Sequence, residues 1–261
     1  EPEYTFKHAL THEVAYGGML QERRRALHAR IIEAIEMRYP DRLAAQVNGL
    51  AGHAMRGEVW EKALHYSRLV GAKDSDRRAY REAVTAYEQA LEALRHLPES
   101  PDTRPLAVEL RRLLANVLTN RGQYQRSITL LGEAEALARQ LDDRAPMARV
   151  LGTMSWARRD MGDLDGARAA ASQALDIATV LNDPFAQAVA SYRLGQAFTA
   201  IGDFGRAAEL FRGNVETLAS GAPDPARLAT WISSRAWLAR VLAALGEFDE
   251  GRRHGEEAVR L

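Results

Sequence analysis

The chain has 261 residues, enough for one large domain or two small ones, and its 46% of hydrophobic residues can form a sizeable core. Lys and Arg number 35 and Asp and Glu also number 35, which excludes a global charge that would attract nucleic acid or an anionic membrane. The chain has no cysteine for disulfides or thiolate metal sites, no visible signal peptide, and no apolar run near the roughly 20 residues of a membrane span.

The first 38 residues differ in pattern from the rest of the chain. The letters YTF indicate a short strand, and Thr11 and Glu13 can start a helix. Apolar residues spaced by three and four positions predict a second helix from Glu22 to Met37. Three consecutive arginines stand at its start. They could contact a phosphate, but a solvated helix start is the favoured interpretation.

Residues 39–96 carry irregular copies of one pattern, in which an aromatic residue precedes a small residue by three positions. The pairs are Trp60 with Ala63 and Tyr80 with Ala83, and they are only 20 residues apart. Each pair has the spacing of a turn followed by the second helix of a helical hairpin. Because this interval is short, we expect the long helices of this block to serve in two neighbouring copies of the pattern.

The proline-rich segment 97–105 is predicted to be a linker between this block and a regular array over residues 105–261. We expect the two blocks to belong to one architecture and not to be independent domains. In the array a glycine recurs, with a small residue seven positions before it and another five positions after it. The intervals of 40, 40 and 44 residues indicate a solenoid. The repeated glycines are Gly122, Gly162, Gly202 and Gly246.

Each unit of the array is predicted to be a helix, a tight turn, a helix and a loop. Apolar residues between the glycines recur at intervals of three and four, as on one stripe of an amphipathic helix. Glycine supplies the left-handed backbone at which the first helix ends. The small residues let the two helices cross closely. The predicted fold class is therefore all-α, with about twelve helices in antiparallel pairs that stack into a right-handed superhelix.

These spacings resemble the tetratricopeptide repeat, which places glycine at its fifteenth position and small residues at its eighth, twentieth and twenty-seventh. Gly195, Gly202, Ala207 and Phe211 match that pattern well. The period of 40 residues exceeds the family's usual period of about 34 and is similar to extended variants in large bacterial regulators. The resemblance covers residues 40–261. Its departures are Ser127, Asn214 and Gly251.

An ordered set of motifs stands near the start of the chain: Phe-Lys-His-Ala-Leu from Phe6, Glu-Val-Ala-Tyr from Glu13, and an Arg-rich helix with Leu-His at Leu27. This order resembles the end of the ATPase module in bacterial STAND-type signalling proteins, where a winged-helix segment runs into tetratricopeptide repeats. The resemblance implies that residues 1–38 are a winged-helix remnant after an ATPase domain and that residues 39–261 are repeats. It also implies a cyclase, DNA-binding or kinase domain elsewhere in the parent. A start without Met and an end within an apparent helix favour a fragment of a longer protein.

No motif predicts catalysis in this chain. No glycine is followed by lysine, so the phosphate-binding loop G-x-x-x-x-G-K-S/T is missing. His8 and His12 could face one metal ion from a helix, but no third ligand is evident, and a packing or capping role is favoured for His8. Tyr16 replaces the second histidine of an H-E-x-x-H motif, and no nucleophile-elbow sequence is present. We therefore expect no catalytic residue, no cofactor and no metal.

The first helices of the array are predicted to line a concave groove. Residues at its inward positions mix arginine, amide and aromatic side chains, and binding surfaces are enriched in arginine and aromatic residues. Arg112 and Asn116 stand where a carboxylate-clamp tetratricopeptide domain has Lys and Asn, but Thr153 and Val189 leave that clamp incomplete. The alternative is a solvated face with Trp156 stacked on its neighbouring helix. The predicted groove residues are Arg112, Asn116, Asn120, Arg149, Trp156, Arg159, Tyr192, Gln196 and Arg240, flanked by Arg193 and Trp237.

The sequence thus predicts a non-catalytic protein-interaction and sensor scaffold, the repeat region of a multidomain signalling ATPase. Its partner would be a protein, an acidic or mixed peptide, or another domain of its own parent chain, with no nucleic acid and no membrane. The alternative is a regulatory domain whose groove binds a small-molecule effector. The absence of cysteine fits a reducing compartment and leads us to expect a cytoplasmic location.

Overall fold

The computed structural model describes residues 16–141, 143–219 and 224–260, and every regular element within those ranges is helical. Two compact units divide the chain, residues 1–99 and residues 100–261. The predicted strand YTF, the helix start at Thr11 and the histidines His8 and His12 lie outside the described residues. The winged-helix assignment of residues 1–38 therefore stays a prediction.

The first unit contains four α-helices among its described residues, each packed against the next in sequence. Its core includes the fully buried side chains of Ile32, Leu50 and Tyr87. The tyrosine ring lies against Gly71, where an added Cβ atom would meet the ring at 2.6 Å. The helices are α1 (Gln21–Arg38), α2 (Leu43–Gly57), α3 (Trp60–Asp76) and α4 (Tyr80–Arg95), with a short 3₁₀ helix, Pro40–Arg42, before α2.

Two turns in this unit adopt the left-handed conformation without glycine. Glu58 has φ 53° and Arg78 has φ 59°, and each stands five positions before a small residue, where the regular array has its glycine. The N–H of Val59, which follows Glu58, donates to the Ala54 carbonyl at 3.0 Å. The N–H of Ala79, which follows Arg78, donates to the Asp74 carbonyl at 2.8 Å. These bonds close a Schellman-type turn. The irregular block therefore uses one turn geometry twice, 20 residues apart, and α3 serves both turns.

Helices α1 and α2 are joined by a partly buried chain of hydrogen bonds through two histidines. Tyr16 Oη lies 2.7 Å from His28 Nε2, and His28 Nδ1 lies 2.8 Å from His53 Nδ1. His28 is only 5% exposed. If the tyrosine hydroxyl donates to Nε2, neutral His28 donates from Nδ1 to an unprotonated Nδ1 of His53. A further proton on His53 Nδ1 would place N–H against N–H and break the chain.

Mild acidification is expected to destabilise the protein through this histidine pair. Burial, followed by the positive charge of Arg56, lowers the pKa of His28 and of His53 below the ordinary value of 6.5. The unfolded chain then binds more protons below pH 6.5, so the free energy of unfolding falls as the pH drops through the lowered pKa values. Urea unfolding at neutral and mildly acidic pH measures this loss. A double variant, His28→Gln with His53→Gln, should lose part of the pH dependence, whereas His96→Gln at an exposed site should keep it; identical profiles would contradict the prediction.

The second unit contains eight α-helices among its described residues. Each packs against the next in sequence, and the first helices of successive pairs also contact one another: α5 with α7, α7 with α9, and α9 with α11. None of the described helices is both long enough and apolar enough to cross a membrane. The helices are α5 (Thr103–Asn120), α6 (Tyr124–Ala138), α7 (Ala145–Met161), α8 (Leu164–Val180), α9 (Pro184–Ile201), α10 (Phe204–Ala219), α11 (Pro225–Leu245) and α12 (Phe248–Arg260).

The repeated glycines end the first helix of each pair, as predicted. Gly122, Gly162, Gly202 and Gly246 have φ of 72°, 95°, 93° and 82°, all in the left-handed region. The all-helical repeat architecture predicted from the spacing is therefore confirmed.

The helix crossings carry the small residues that the spacing predicts. A Cβ atom added at Gly195 would lie 2.8 Å from the ring of Phe211, which is fully buried. Two departures from the repeat pattern satisfy their polar groups locally, because Ser127 Oγ donates to the Ala115 carbonyl at 2.9 Å and Asn214 Nδ2 donates to the Ala188 carbonyl at 2.8 Å. Further buried small residues at crossings are Ser155, Ala167 and Ala207.

Candidate functional site

A pocket of about 500 Å³ opens on the contacting first helices α5, α7, α9 and α11. Its wall combines arginine side chains with the apolar side chains of Phe185 and Val189. Asp183, at the start of α9, also lines it, but its carboxylate caps the helix by accepting the N–H groups of Phe185 and Ala186, each at 3.0 Å. The polar residues that face the pocket from α5, α7 and α9 are Arg112, Asn116, Arg149, Thr153 and Arg193.

Two of the pocket arginines share one carboxylate. Glu109 accepts hydrogen bonds from Arg112 Nε at 3.0 Å and from Arg112 Nη2 at 2.6 Å, which is a bidentate pair within α5. Its Oε2 atom also lies 3.8 Å from Nε of Arg149 on α7. A single carboxylate therefore compensates two guanidinium groups from adjacent first helices.

Arg193, which also lines the pocket, has a different environment. Its Nη1 donates to Gln196 Oε1 at 3.1 Å, and its guanidinium carbon lies 5.0 Å from the ring centroid of Trp156 and 5.5 Å from that of Tyr192. No carboxylate among the described residues forms an ion pair with it. Burial lowers the pKa of Arg193 to about 10, so the group stays charged at neutral pH. Arg193 is thus a desolvated positive charge without an ion pair from the described part of the chain, and the Asp160 carboxylate attracts it only at longer range.

The structure brings together part of the predicted groove. Arg112, Asn116 and Arg149 line the pocket with Arg193, which the sequence pattern placed only at the edge of the groove. Asn120 is exposed at the end of α5, where its Nδ2 donates to the Asn116 carbonyl at 3.0 Å and to Asn116 Oδ1 at 3.2 Å. It does not line the pocket.

A second cluster joins arginines and aromatic rings along α7 and α11. Trp156 Nε1 donates to Asp160 Oδ2 at 2.7 Å, and Arg159 donates to Asp160 Oδ1 through Nε at 2.9 Å and Nη2 at 2.7 Å. The guanidinium carbons of Arg159 and Arg240 lie 5.7 Å and 5.0 Å from the ring centroid of Trp237. The predicted residues Trp156, Arg159 and Arg240 are therefore grouped around one carboxylate and one indole.

Gln196 and Tyr192 differ from the expectation of a solvent-facing groove. Gln196 is only 4% exposed, and its Nε2 donates to Tyr192 Oη at 2.9 Å while its Oε1 accepts from Arg193. The Tyr192 ring meets Phe211 edge-on at a centroid distance of 6.0 Å. These two side chains support Arg193 from the interior of the helix stack. Helical periodicity assigns a residue to a helix face but could not show how deeply that face is buried.

Arg159 is also more enclosed than an open groove residue, because its side chain is 15% exposed and its Nη1 atom is buried without a hydrogen-bond partner among the described residues. Arg159→Glu is therefore expected to lower the free energy of unfolding by about 1–3 kcal/mol, since it would bury a carboxylate beside Asp160. Arg240→Glu makes the same charge change at an exposed site near the same indole and should change stability by less than about 0.5 kcal/mol. Urea denaturation compares the two variants, and equal losses would count against this burial argument.

Two acidic residues that organise the site were missed from the sequence. Glu109 lies three positions before Arg112, and Asp160 lies four positions after Trp156, so each pair shares a helix face. That spacing was the available signal. Among the described residues, no group of three or more His, Cys, Asp or Glu side chains could hold a metal ion.

The fold defines a helical-repeat protein with a charged pocket on the first helices of its second unit. The tetratricopeptide repeat family model matches residues 106–179 of this chain. A protein of Rhizobium meliloti (strain 1021), described as uncharacterized, is 30% identical over 103 residues, which cover 40% of this chain and 10% of that protein. The matched part therefore spans a tenth of this relative's length.

Solved structures share the fold at low sequence identity. A Rap protein complexed with Competence and Sporulation Factor is 15% identical over 76% of this chain and 53% of its own, with a TM-score of 0.67. The Rap conjugation gene regulator of plasmid pLS20, in complex with the Phr* peptide, is 18% identical over 81% and 55%, with a TM-score of 0.65. Kinesin-light-chain-like repeats of Podosopora anserina are 20% identical over 76% and 93%, with a TM-score of 0.57. These similarities concern the fold alone.

Proposed function

We propose that this chain is a protein-interaction region whose pocket binds a peptide through a carboxylate. Helical repeats of the tetratricopeptide type generally mediate protein–protein interactions. The observation that carries the proposal is Arg193, which lines the pocket and forms no ion pair with a carboxylate among the described residues. A carboxylate matches that fork in charge and in geometry. In this proposal the chain itself has no catalytic role.

The apolar part of the wall favours a peptide with an apolar residue next to the acidic one. Phe185 and Val189 on α9 lie in the same pocket as Arg193, and Leu181 precedes that helix. Burial of an apolar side chain against them would contribute affinity that the charge alone does not supply. The solved complexes of two Rap proteins, one with Competence and Sporulation Factor and one with the Phr* peptide, support a peptide ligand in a fold of this kind.

We further propose that the parent is a multidomain cytoplasmic signalling ATPase of the STAND type. The motif order from Phe6 to Leu27 supports this assignment. The match to a tenth of a much longer relative also supports a large parent protein. The coding sequence upstream of Glu1 tests the assignment, because a STAND parent requires a phosphate-binding loop there. An upstream sequence without such a loop would remove this part of the proposal.

A small-molecule effector is the second candidate ligand. The pocket volume of about 500 Å³ favours it, because small-molecule sites commonly measure about 300–1,000 Å³. Such an effector would need a carboxylate or another anion to face Arg193. Thermal-shift measurements with small organic acids test this candidate separately from peptide binding.

Titration of the full chain with short leucine–alanine peptides tests the proposed function. The peptides are N-acetylated and C-amidated, so that a central glutamate carries the only carboxylate, and matched peptides carry glutamine or lysine instead. We expect the glutamate peptide to bind at least about tenfold more tightly than the glutamine peptide, because a charge-assisted hydrogen bond contributes roughly 1.5–3 kcal/mol. Equal binding of all three peptides, or no binding of any, would remove the proposal.

A further inference from the structure

We infer that Glu109 is a specificity-determining residue that limits the pocket to one ligand carboxylate. The inference rests on the proposed peptide function, and it concerns the number of acidic groups that the site accepts. It is carried by the placement of Glu109 between Arg112 and Arg149, both of which line the pocket, while Arg193 keeps its charge without a carboxylate partner among the described residues.

Glu109 occupies the Arg112 donors that a second ligand carboxylate would use. Both of its oxygens bond to Arg112, at 3.0 Å to Nε and 2.6 Å to Nη2, so the planar fork of that guanidinium is taken. The Arg112 side chain is 17% exposed and that of Glu109 is 30% exposed, so solvent screens this pair only in part. Arg149 lies 3.8 Å from the same carboxylate on the opposite side of the helix contact. A ligand acid that binds the fork of Arg112 must therefore displace Glu109.

The charges around the pocket also favour a single ligand carboxylate. The lining residues within the described ranges carry three positive charges, on Arg112, Arg149 and Arg193, and one negative charge, on Asp183. Glu109 stands beside them and adds a second negative charge. One positive charge then remains, and Arg193 carries it, because among the described residues its guanidinium donates to the amide of Gln196 and forms no ion pair, although the Asp160 carboxylate attracts it at longer range. A single ligand carboxylate neutralises the pocket, and a second one would add repulsion against Glu109.

Glu109 competes from a fixed position on the same helix as Arg112, and this gives it an advantage over a ligand. It is held three residues from its partner, so no translational entropy is lost when the ion pair forms, whereas a ligand group must be ordered. Replacement by glutamine keeps the shape of the side chain but removes the charge. The fork of Arg112 then becomes available to a second acidic side chain, and Arg149 loses the carboxylate near it.

Binding of two synthetic peptides to the full chain tests this inference. Both are N-acetylated, C-amidated leucine–alanine peptides, one with a single glutamate and one with two glutamates separated by one residue. The unmodified chain is expected to bind both with affinities within about threefold. Glu109→Gln is expected to raise affinity for the two-glutamate peptide by roughly tenfold, the effect of one charge-assisted bond, and to leave the one-glutamate peptide within about twofold.

Two further variants separate this role from a structural one. Glu135→Gln removes the same charge from α6, where Glu135 pairs with Arg139 at 2.6 Å and does not line the pocket, and it should leave the affinity ratio of the two peptides unchanged. Glu109→Asp keeps a carboxylate and should keep the ratio close to that of the unmodified chain. A Glu109→Gln variant with an unchanged ratio, or with both peptides weakened equally, would overturn the inference.

The experiment also distinguishes the two proposals. If the one-glutamate peptide binds and Arg193→Met abolishes that binding, the proposed function stands whatever Glu109→Gln does. If no peptide binds, or if Arg193→Met has no effect, the proposed function fails and the inference fails with it. Thermal melts of each variant confirm that the compared chains are folded.

Discussion

Replacing Phe211 by alanine is expected to lower the free energy of unfolding by about 3–5 kcal/mol, the range for a fully buried aromatic side chain. The ring is completely buried on α10 and fills the space left by Gly195 on α9, where a Cβ atom would lie 2.8 Å away. It also meets Tyr192 and Trp237 at centroid distances of 6.0 Å and 6.2 Å. Removal of the ring opens a cavity at a crossing that two other aromatic residues already border, so the neighbours cannot collapse fully into it.

Urea denaturation followed by circular dichroism measures this loss, and Phe248→Ala is its control. Phe248 occupies an equivalent place to Phe204 after a repeated glycine, but its side chain is 68% exposed. Its replacement should change stability by no more than about 0.5 kcal/mol. If the two alanine variants lose similar stability, the crossing of α9 and α10 does not depend on Phe211 in the way described.

Replacing Arg193 by methionine is expected to weaken binding of the one-glutamate peptide by roughly thirtyfold or more while changing stability by less than about 1 kcal/mol. The binding loss follows from removal of the forked donors of a residue that lines the pocket. The stability effect is small because two terms oppose each other. Methionine relieves the cost of a desolvated charge, but it leaves Gln196 Oε1 without its donor and removes the contact of the guanidinium with Trp156.

Peptide titration and urea denaturation of the same preparation check both parts of this expectation. Arg168→Met is the matched control, because Arg168 lies on the second helix α8, pairs with Asp165 at 3.7 Å and does not line the pocket. It should leave peptide affinity unchanged. A stable Arg193→Met chain with undiminished affinity would place the carboxylate elsewhere.

Much of the array could be predicted because its signals are local. A residue with φ above zero is easiest to supply as glycine, and a close helix crossing needs a residue with little or no side chain, so both appear at fixed positions in the sequence. At Glu58 and Arg78 the aromatic and small residues that follow indicated a turn, but the left-handed residue itself could not be predicted because it is not glycine. There the left-handed conformation costs energy, and the packing of α2, α3 and α4 has to maintain it.

The candidate site could be predicted only in outline, because burial and ion pairing depend on neighbouring helices and not on local sequence. The pattern placed Arg112, Asn116 and Arg149 on inward faces, and the structure finds them in one pocket. It could not show that Gln196 is buried, because the depth of a face depends on how closely the neighbouring helices approach. It also gave Arg193 no special weight, because its lack of an acidic partner depends on the conformations of many other side chains.

The sequence by itself determined the helices of the array, the glycine turns that end their first members, and the faces on which they cross. Those properties depend on residues within a few positions of each other, and the backbone of each unit responds to them directly. Only the tertiary structure decided which charges neutralise one another. Arg149 reaches Glu109 from a helix 40 positions further along the chain, and Arg193 is left without such a partner among the described residues. Ion pairing between helices depends on distances of a few ångströms across their contacts, and the spacing of residues along the chain does not specify those distances.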